Sequence, residues 1–338
     1  DSFGALIAAE RLRKLVKSSP LAIALGELPL TVSIGMSWYQ PEFDDIDTML
    51  AQSDSLLYEA KQTGRDKVLC YGCSDTRMAS VIWEGSQVQR ALHDGRLVPA
   101  YQSIFDLKNR SIVADEALAR IRAKDDTLVD AKNFIEAAEA LHLVAWVDRE
   151  ISSSAIARCS SATLQQSDIA GRKHFINLSQ QFLANGEQVG EFLAQAQAYC
   201  EMSGDAAGAA KSVVIEITER QGGDIMQLKK YLKPLTDFGF KLALDDFGSG
   251  YSSFLYLAEL PVDYIKIEGW MVKRITSDKR TRQLVEILVG TAQKLSITSI
   301  AECVENEETA RMLHDMGVDW AQGYHFAHPM VAGSSPAL

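Results

Sequence analysis

The sequence predicts an α/β protein in which a short front segment precedes either a β/α barrel or a doubly wound sheet. Strand-like and helix-like segments alternate over about 250 residues, the length such folds need. The first 75 residues do not show this alternation. The composition, 47% hydrophobic and 23% charged, is ordinary for a globular protein.

The alternating region contains eight segments with the apolar and β-branched composition of strands. They are Val98–Ile104, Ile112–Ala117, Lys173–Leu178, Val213–Ile217, Lys241–Leu244, Tyr264–Ile267, Thr298–Ala301 and Trp320–Gly323. Amphipathic helices are predicted between several of them. Their apolar faces are Phe134, Ile135, Ala138, Leu141 and Ala145; Ile225, Leu228, Leu232 and Leu235; and Leu284, Ile287, Leu288 and Leu295.

The front segment holds too few elements for a complete α/β domain. We predict a helix at Ala8–Val16, a strand at Leu30–Gly35, a helix that ends at Gly64 and a strand at Val68–Leu69. Trp83–Leu92 is predicted to be a connecting helix.

These changes in the pattern of predicted strands and helices divide the chain into a front segment (1–75), a linker helix (76–92) and the alternating region (93–333). The chain does not begin with Met, so we expect it to be a fragment of a longer protein. No apolar run reaches the ~20 residues of a membrane span. We expect this fragment to be cytoplasmic, and whether the full-length protein is membrane-anchored stays open.

The net charge of −11 argues against a protein that binds a nucleic-acid polymer. A small anionic substrate remains compatible if bound cations make an acidic cluster locally positive. The six His residues form no HxxxH or HxH pair, so a metal site would consist of oxygen ligands. The five Cys residues, including Cys70 and Cys73, are predicted to be reduced thiols.

Carboxylate and amide side chains follow one predicted strand after another. In a parallel barrel the carboxyl ends of all strands open on one face, so these groups would converge there. Such a cluster is costly without cations, and oxygen ligands select Mg²⁺, Mn²⁺ or Ca²⁺. A single polar residue at a strand end is common, but repetition favours a metal site. The side chains are Glu116, Asn177, Glu216, Glu219, Asp245, Asp246, Glu268, Glu302, Glu305 and Gln322.

Asp245 and Asp246 are adjacent, and adjacent residues on a strand point to opposite faces. Both can face the mouth only if the backbone leaves strand geometry, for which Gly248 and Gly250 offer freedom. Two such Asp residues suit a metal pair; an Asx turn, which needs only one of them, is the alternative. Lys266 is either an ion-pair partner or a group that holds a phosphate or orients the attacking water.

The string Glu116-Ala117-Leu118-Ala119-Arg120 resembles the EAL signature of cyclic di-GMP phosphodiesterases. The front segment resembles the C-terminal part of a GGDEF domain, with Ser2 where that family has Glu, which implies an impaired cyclase site. The EAL resemblance runs from about Gly85 to Pro329 and continues through Tyr101-Gln102, Asn177-Leu178-Ser179, Glu216-Ile217-Thr218-Glu219, Asp245-Asp246-Phe247-Gly248-Ser249-Gly250, Lys266-Ile267, Glu302, Val304-Glu305 and Gln322-Gly323-Tyr324.

The EAL resemblance implies a (β/α)₈ TIM-like barrel that hydrolyses cyclic di-GMP to linear pGpG with two Mg²⁺ or Mn²⁺ ions and is inhibited by Ca²⁺. It implies a homodimer through the barrel, and GTP binding by the front segment of the full-length protein stays open. The implied metal ligands are Glu116, Asn177, Glu216, Asp245 and Asp246. The implied catalytic residues are Lys266, Glu302, Glu219 and Glu268, with Glu302 also a candidate ligand of the second ion. The implied substrate contacts are Gln102, Arg120, Glu305, Gln322 and Tyr324.

Two departures from the family pattern lie beside the implied site. Glu268 stands where the family usually has Asp, and a carboxylate misplaced by about 1 Å can cost about 10²-fold in rate. Cys303 replaces the usual Gly. The alternative function is therefore a barrel that binds cyclic di-GMP without cleaving it. A cyclase is poorly supported, because most of its domain is absent.

Overall fold

The computed structural model describes residues 2–23, 26–38, 46–70, 75–123, 125–164, 172–203, 212–218, 224–248 and 253–331. The chain divides into two compact units. One contains Asp1–Gln87 and Glu136–Leu141, and the other contains Val88–Ile135 and His142–Leu338.

The described part of the first unit contains helices and two small two-stranded sheets. The helices are α1 (Ser2–Ser18), α2 (Ile46–Gln62) and α3 (Asp75–His93), of which α3 continues into the second unit. The strands are β1 (Leu21–Ile23) and β2 (Gly26–Leu28), which pair antiparallel, and β3 (Ile34–Met36) and β4 (Val68–Cys70), which pair parallel.

Two expectations for the front segment need correction. The strand predicted at Leu30–Gly35 begins only at Ile34, since residues 29–33 form no ladder. Cys70 is disulfide-bonded, so the predicted free thiol is wrong there; composition does not show whether a thiol has a partner within reach. Cys73 lies outside the described residues.

Eight strands of the second unit close into a barrel, because the first of them pairs with both the second and the last. The barrel is confirmed, and the doubly wound sheet is excluded. In order around the barrel, the strands are β5 (Leu97–Asp106), β6 (Ile112–Arg122), β8 (Lys173–Asn177), β9 (Val213–Thr218), β10 (Lys241–Phe247), β11 (Tyr264–Ile267), β12 (Thr298–Ala301) and β13 (Trp320–Ala321). Two short antiparallel strands, β7 (Leu128–Asp130) and β14 (Met330–Val331), extend the sheet beside β6 and β5.

Strand β5 runs antiparallel to both of its neighbours, whereas all the other neighbouring barrel strands pair parallel. Only residues 107–111 join β5 to β6, and a parallel pair needs a crossover of a dozen or more residues. The sequence therefore permits only a hairpin here. Gln102 lies opposite Glu116 in this pair, so both side chains face the barrel interior.

Helices connect the strands on the outside of the sheet. One predicted apolar face is divided between α4 and α5, because His142 has a φ of 56° and interrupts the helix. The helices of this region are α4 (Ile135–Ala140), α5 (Val144–Leu164), α6 (Gln180–Leu183), α7 (Gly186–Ser203), α8 (Ile225–Phe238), α9 (Ser253–Glu259), α10 (Gly269–Arg274), α11 (Lys279–Lys294) and α12 (Glu307–Asp315), with a 3₁₀ turn at Ala131–Asn133.

The apolar face predicted for α8 is largely confirmed, whereas that predicted for α11 is largely wrong: of its residues, Leu288 packs against the core. Leu228, Leu232 and Leu235 are buried on α8. On α11, Leu284 is 45% exposed and Ile287 is 59% exposed. Thr281, Val285, Val289 and Ala292 form the buried face instead.

A buried apolar layer fills the barrel, and it dictates where the polar residues lie. On a strand, every second side chain points to the same face. Two positions further toward the mouth, each strand therefore presents a second inward residue. The apolar layer is Ile104, Ala114, Phe175, Val214, Ala243, Tyr264 and Ile300. The layer above it, which we call the polar layer, is Gln102, Glu116, Asn177, Glu216, Asp245, Lys266 and Glu302, with Gln322 from the end of β13.

Candidate active site

Lys266 lies at the centre of the polar layer and is 1% exposed. Its ammonium group touches carboxylates from four other strand ends. The distances from Nζ are 2.8 Å to Glu302, 3.0 Å to Glu216, 3.1 Å to Glu116 and 3.5 Å to Asp245. The strand-end acids thus converge on one point, as the sequence predicted for a barrel mouth.

Two amides complete this arrangement. The Asn177 Nδ2 donates to Glu116 Oε1 at 3.0 Å and to Glu216 Oε2 at 2.9 Å. The Gln322 Nε2 donates to Glu116 Oε2 at 2.8 Å and to Gln102 Oε1 at 3.0 Å. Glu116 is therefore fixed by two amides and Lys266, and Gln322, predicted as a substrate contact, also lies against an implied metal ligand.

The electrostatics of the centre favour a protonated Lys266 and an ionised Glu116. Burial disfavours the ammonium, but the surrounding carboxylates, Asp245 foremost, raise the pKa of Lys266 well above its usual value. Burial also acts to raise the pKa of Glu116, but Lys266 and the Gln322 amide outweigh it, and the pKa of Glu116 lies below its usual value. Each charge thus depends on the other.

Glu216 and Glu302 are pushed toward their neutral forms. Burial and the nearby Glu116 raise the pKa of Glu216 well above its usual value. Burial, reinforced by Asp245 and Glu116 against the effect of Lys266, raises the pKa of Glu302 to about 8. One ammonium group does not compensate this many buried carboxylates.

Asp245, Asp246 and Glu302 form a second, more open cluster beside this centre. One carboxylate oxygen from each lies within 4.8 Å of the others. Adjacent Asp residues both reach it because Asp246 has a φ of 54° and the ladder between β10 and β11 shifts register there. The backbone leaves strand geometry at this point, as predicted: Gly248 has a φ of 99°, and Asp246 itself already has a positive φ. Gly250 lies outside the described residues.

The donor set fits divalent cations that bind oxygen. Glu216 Oε1 and Asp245 Oδ1 are buried and share one cationic partner, the Lys266 ammonium, at 3.0 Å and 3.5 Å. One ammonium shared by several buried carboxylates leaves negative charge that a divalent cation would compensate. The carboxylates and the Asn177 amide are the ligand types that Mg²⁺ and Mn²⁺ prefer.

Four predicted residues lie around this centre with partners of their own. Arg120 is buried, and its Nε lies 2.9 Å from Asp130 Oδ1. Tyr324 is 59% exposed, and its ring stacks on that of His328 at 4.3 Å between centroids. The Arg120 guanidinium and the Tyr324 ring are thus each held by a different neighbour. The other two are Glu305, 2.7 Å from Lys273, and Glu268, 2.6 Å from Trp270 Nε1.

The other two predicted catalytic residues are Glu268 and Glu219. The Glu268 Oε2 accepts from the indole of Trp270, which lies in the first turn of α10. Glu219 lies outside the described residues. Sequence reasoning missed Trp270 and Asp130 as partners; Asp130 ends a short strand whose only signal is the apolar pair Leu128-Val129.

Comparison with protein families identifies the barrel. The model for the EAL domain matches residues 86–329, more than two thirds of the chain. The chain belongs to the EAL domain family. The model for the diguanylate cyclase GGDEF domain matches residues 1–67, ahead of the EAL domain.

Curated relatives resemble this chain at low identity. PdeB of Shewanella oneidensis, named a cyclic di-GMP phosphodiesterase, is 28% identical over 99% of this chain and 40% of its own length. PdeG of Escherichia coli, named a probable cyclic di-GMP phosphodiesterase, is 30% identical over 72% of this chain and 46% of its own length. This chain thus spans less than half the length of either relative.

Solved structures share the fold. The EAL enzyme Bd1971, in its cAMP- and cyclic-di-GMP-bound form, superposes with a TM-score of 0.71 and 24% identity over 86% of this chain and 74% of its own. The c-di-GMP complex of the PaMucR phosphodiesterase gives a TM-score of 0.65 and 24% identity over 74% of this chain and 98% of its own. Among the described residues, no helix has the length and apolarity to cross a membrane.

Proposed function

We propose that this EAL domain hydrolyses cyclic di-GMP to linear pGpG with two divalent cations held by the polar layer. One observation carries the proposal: carboxylates and amides from separate strands meet around Lys266, whose single ammonium is shared among buried carboxylate oxygens. The names of PdeB and PdeG support the same substrate.

The two cation sites would share Asp245. Glu116, Asn177, Glu216 and Asp245 would hold the first ion, and Asp245, Asp246 and Glu302 would hold the second. When bound, the two ions would lower the pKa of the attacking water and neutralise charge on the phosphate. The identity of the ions as Mg²⁺ or Mn²⁺, with Ca²⁺ as an inhibitor, is part of the proposal.

Lys266 would act as a fixed positive charge and hydrogen-bond donor. Without a cation, the surrounding carboxylates raise the pKa of Lys266 well above its usual value and favour the protonated ammonium. Its buried position suits a group that orients water or a phosphate oxygen at the mouth. Asn177 and Gln322 would keep Glu116 in a single orientation.

The surrounding residues would hold the dinucleotide. Arg120 offers a guanidinium for a phosphate, and its contact with Asp130 fixes its direction. Tyr324 exposes an aromatic face on which a guanine base can stack. Gln102, Gln322 and Glu305 would supply hydrogen bonds to the substrate.

A turnover assay with Mg²⁺, Mn²⁺ and Ca²⁺ in parallel tests the proposal. Linear pGpG should appear with Mg²⁺ or Mn²⁺, while Ca²⁺ should permit binding and suppress cleavage. Glu116→Gln should abolish turnover, because it removes a ligand charge without removing volume. Glu201→Gln, an exposed carboxylate on α7, is the matched control and should retain wild-type turnover. Absence of product with every cation would contradict the proposal.

A second function, capture of cyclic di-GMP without cleavage, is favoured by one contact. The Glu268 carboxylate is hydrogen-bonded to Trp270, while Lys266 contacts four other acids. If Glu268 is needed for the reaction and stays bound to Trp270, binding would persist while turnover is slow. Trp270→Phe should then raise the rate of turnover; an unchanged rate would remove the support for this alternative.

We also propose that the EAL domain forms a homodimer, and GTP binding by the GGDEF segment of the longer protein stays a proposal. Exposed apolar side chains on α9 and α11 support self-association, since charged residues are usually preferred on such surfaces. They are Phe254, Leu255 and Ile287. Light scattering of this chain should give the mass of a dimer; a monomer at micromolar concentration would contradict it.

A further inference from the structure

The turn that follows β12 carries both Glu302 and Cys303. Cys303 has a φ of 54°, in the left-handed region that residues other than glycine seldom adopt. In this conformation Glu302 reaches the acidic cluster with Asp245 and Asp246, while the side chain of Cys303 meets Gly269 instead.

Gly269, at the start of α10, is complementary to Cys303. A Cβ on Gly269 would lie 2.6 Å from Cys303 Sγ and 2.8 Å from Cys303 Cβ. Both distances are shorter than non-bonded carbon and sulfur atoms tolerate. A change of rotamer would move the Sγ of Cys303 but leave its Cβ in place. At this contact, therefore, only one of the two positions has room for a side chain.

The turn cannot retreat from Gly269 because backbone hydrogen bonds hold it on both sides. The Glu302 N–H donates to the carbonyl of Ile267 at 3.3 Å. The Val304 N–H donates to the carbonyl of Gln322 at 3.0 Å, and the His325 N–H donates to the carbonyl of Val304 at 3.0 Å. A clash at Cys303 would therefore also displace the neighbouring Glu302.

We propose that Cys303 is a positioning residue for Glu302: its side chain fills the space opposite Gly269 and fixes the turn that points the Glu302 carboxylate at the second cation site. This inference rests on the proposed function, since that function places Glu302 at a cation. The reaction itself does not involve the thiol.

Three variants separate positioning from a general loss of stability. Gly269→Ala introduces the clash and should weaken Mn²⁺ binding by about tenfold, as changes behind metal ligands commonly do. Cys303→Gly empties the space and should weaken Mn²⁺ binding several-fold. The double variant Gly269→Ala/Cys303→Gly fills the same space from the other side, so it should return Mn²⁺ affinity to within about threefold of wild type.

The measurement is a titration of metal-free protein with Mn²⁺ alone, followed by calorimetry, together with Mn²⁺-dependent turnover of cyclic di-GMP. Gly190→Ala is the matched control, because a Cβ there would meet no atom within 4 Å. It should leave both readouts unchanged. Gly269→Ala/Cys303→Ala adds a graded test: the remaining Cβ at position 303 should make its rescue incomplete.

Rescue of Mn²⁺ affinity in the Gly269→Ala/Cys303→Gly variant would support the proposal. Wild-type Mn²⁺ affinity in Gly269→Ala, or a double variant that binds Mn²⁺ as weakly as Gly269→Ala, would overturn the positioning role. In either case, turnover of cyclic di-GMP by the wild-type chain would leave the proposed function intact. If Gly269→Ala does not fold, unchanged Mn²⁺ affinity in Cys303→Gly alone overturns the positioning role. A wild-type chain that binds no Mn²⁺ and makes no pGpG would overturn both proposals.

Discussion

At the scale of single residues, Lys266 explains how the polar layer exists before any cation is bound. Its ammonium group compensates buried carboxylates that burial alone would drive toward neutrality. Removing one partner of such a group leaves the others uncompensated.

Lys266→Met should therefore destabilise the metal-free chain by about 3–5 kcal/mol, as measured by urea unfolding. The comparison is Lys229→Met, which breaks a surface pair with Glu259 and should cost less than about 1 kcal/mol. Added Mn²⁺ should restore much of the stability lost in Lys266→Met, because it supplies the missing positive charge. Equal losses for the two variants would contradict this role of Lys266.

The raised pKa of Glu302 predicts how stability depends on pH. A carboxyl that holds its proton up to about pH 8 when folded, and releases it near its usual value when unfolded, binds more protons in the folded state between these limits. The free energy of unfolding should therefore fall as pH rises through this window, and the raised pKa of Glu216 acts in the same direction.

Melting of the metal-free chain between about pH 5.5 and 8 tests this dependence, above the range in which ordinary carboxylates titrate. The melting temperature should decrease with pH in wild type, and the slope should be smaller in Glu302→Gln. An increase across this range, or an unchanged slope in the variant, would contradict the assignment.

At the scale of elements, α11 shows that the residues that pack against the core are not the largest apolar ones. The predicted face was built from its largest apolar residues, yet Ile287 is 59% exposed while Val289 is 1% exposed. Val289→Ala should cost about 2 kcal/mol of unfolding free energy. Leu284→Ala, at a 45% exposed position of the predicted face that is not assigned to the dimer surface, should change it by less than about 0.5 kcal/mol. Similar losses, measured by urea unfolding, would show that the predicted face is the packed one.

The elements that could be predicted from the sequence are those with a strong local signal. All eight barrel strands were located, because their apolar runs are interrupted by turn residues. The antiparallel pairing of β5 was not predicted, since the expectation was a parallel barrel. The face of α11 could not be read correctly, since Thr281 and Ala292 are buried there by their neighbours rather than by their own hydrophobicity.

The candidate site likewise contains residues that could be predicted from the sequence and residues that could not. The residues of the polar layer follow from alternation along each strand, two positions beyond an apolar inward residue such as Val214 or Ala243. The partners of Glu268 and Arg120 depend on how side chains from helix α10 and strand β7 pack at the mouth. No periodicity in the sequence encodes that packing, so Trp270 and Asp130 could not be predicted.

At the scale of the whole molecule, closure of the barrel brings residues far apart in sequence into one centre. Gln102 and Gln322 are separated by 220 positions and form a hydrogen bond of 3.0 Å. The EAL domain therefore acts as a single unit in the proposed reaction: loss of any inward ligand should remove most of the activity, and combined losses should not add.

The most direct test of the central claim is an anomalous diffraction map of crystals of this chain soaked in Mn²⁺ without substrate. Two peaks should appear, one among Glu116, Asn177, Glu216 and Asp245 and the other among Asp245, Asp246 and Glu302. A map with no peak in the barrel mouth, and with Lys266 still in contact with all four carboxylates, would contradict it.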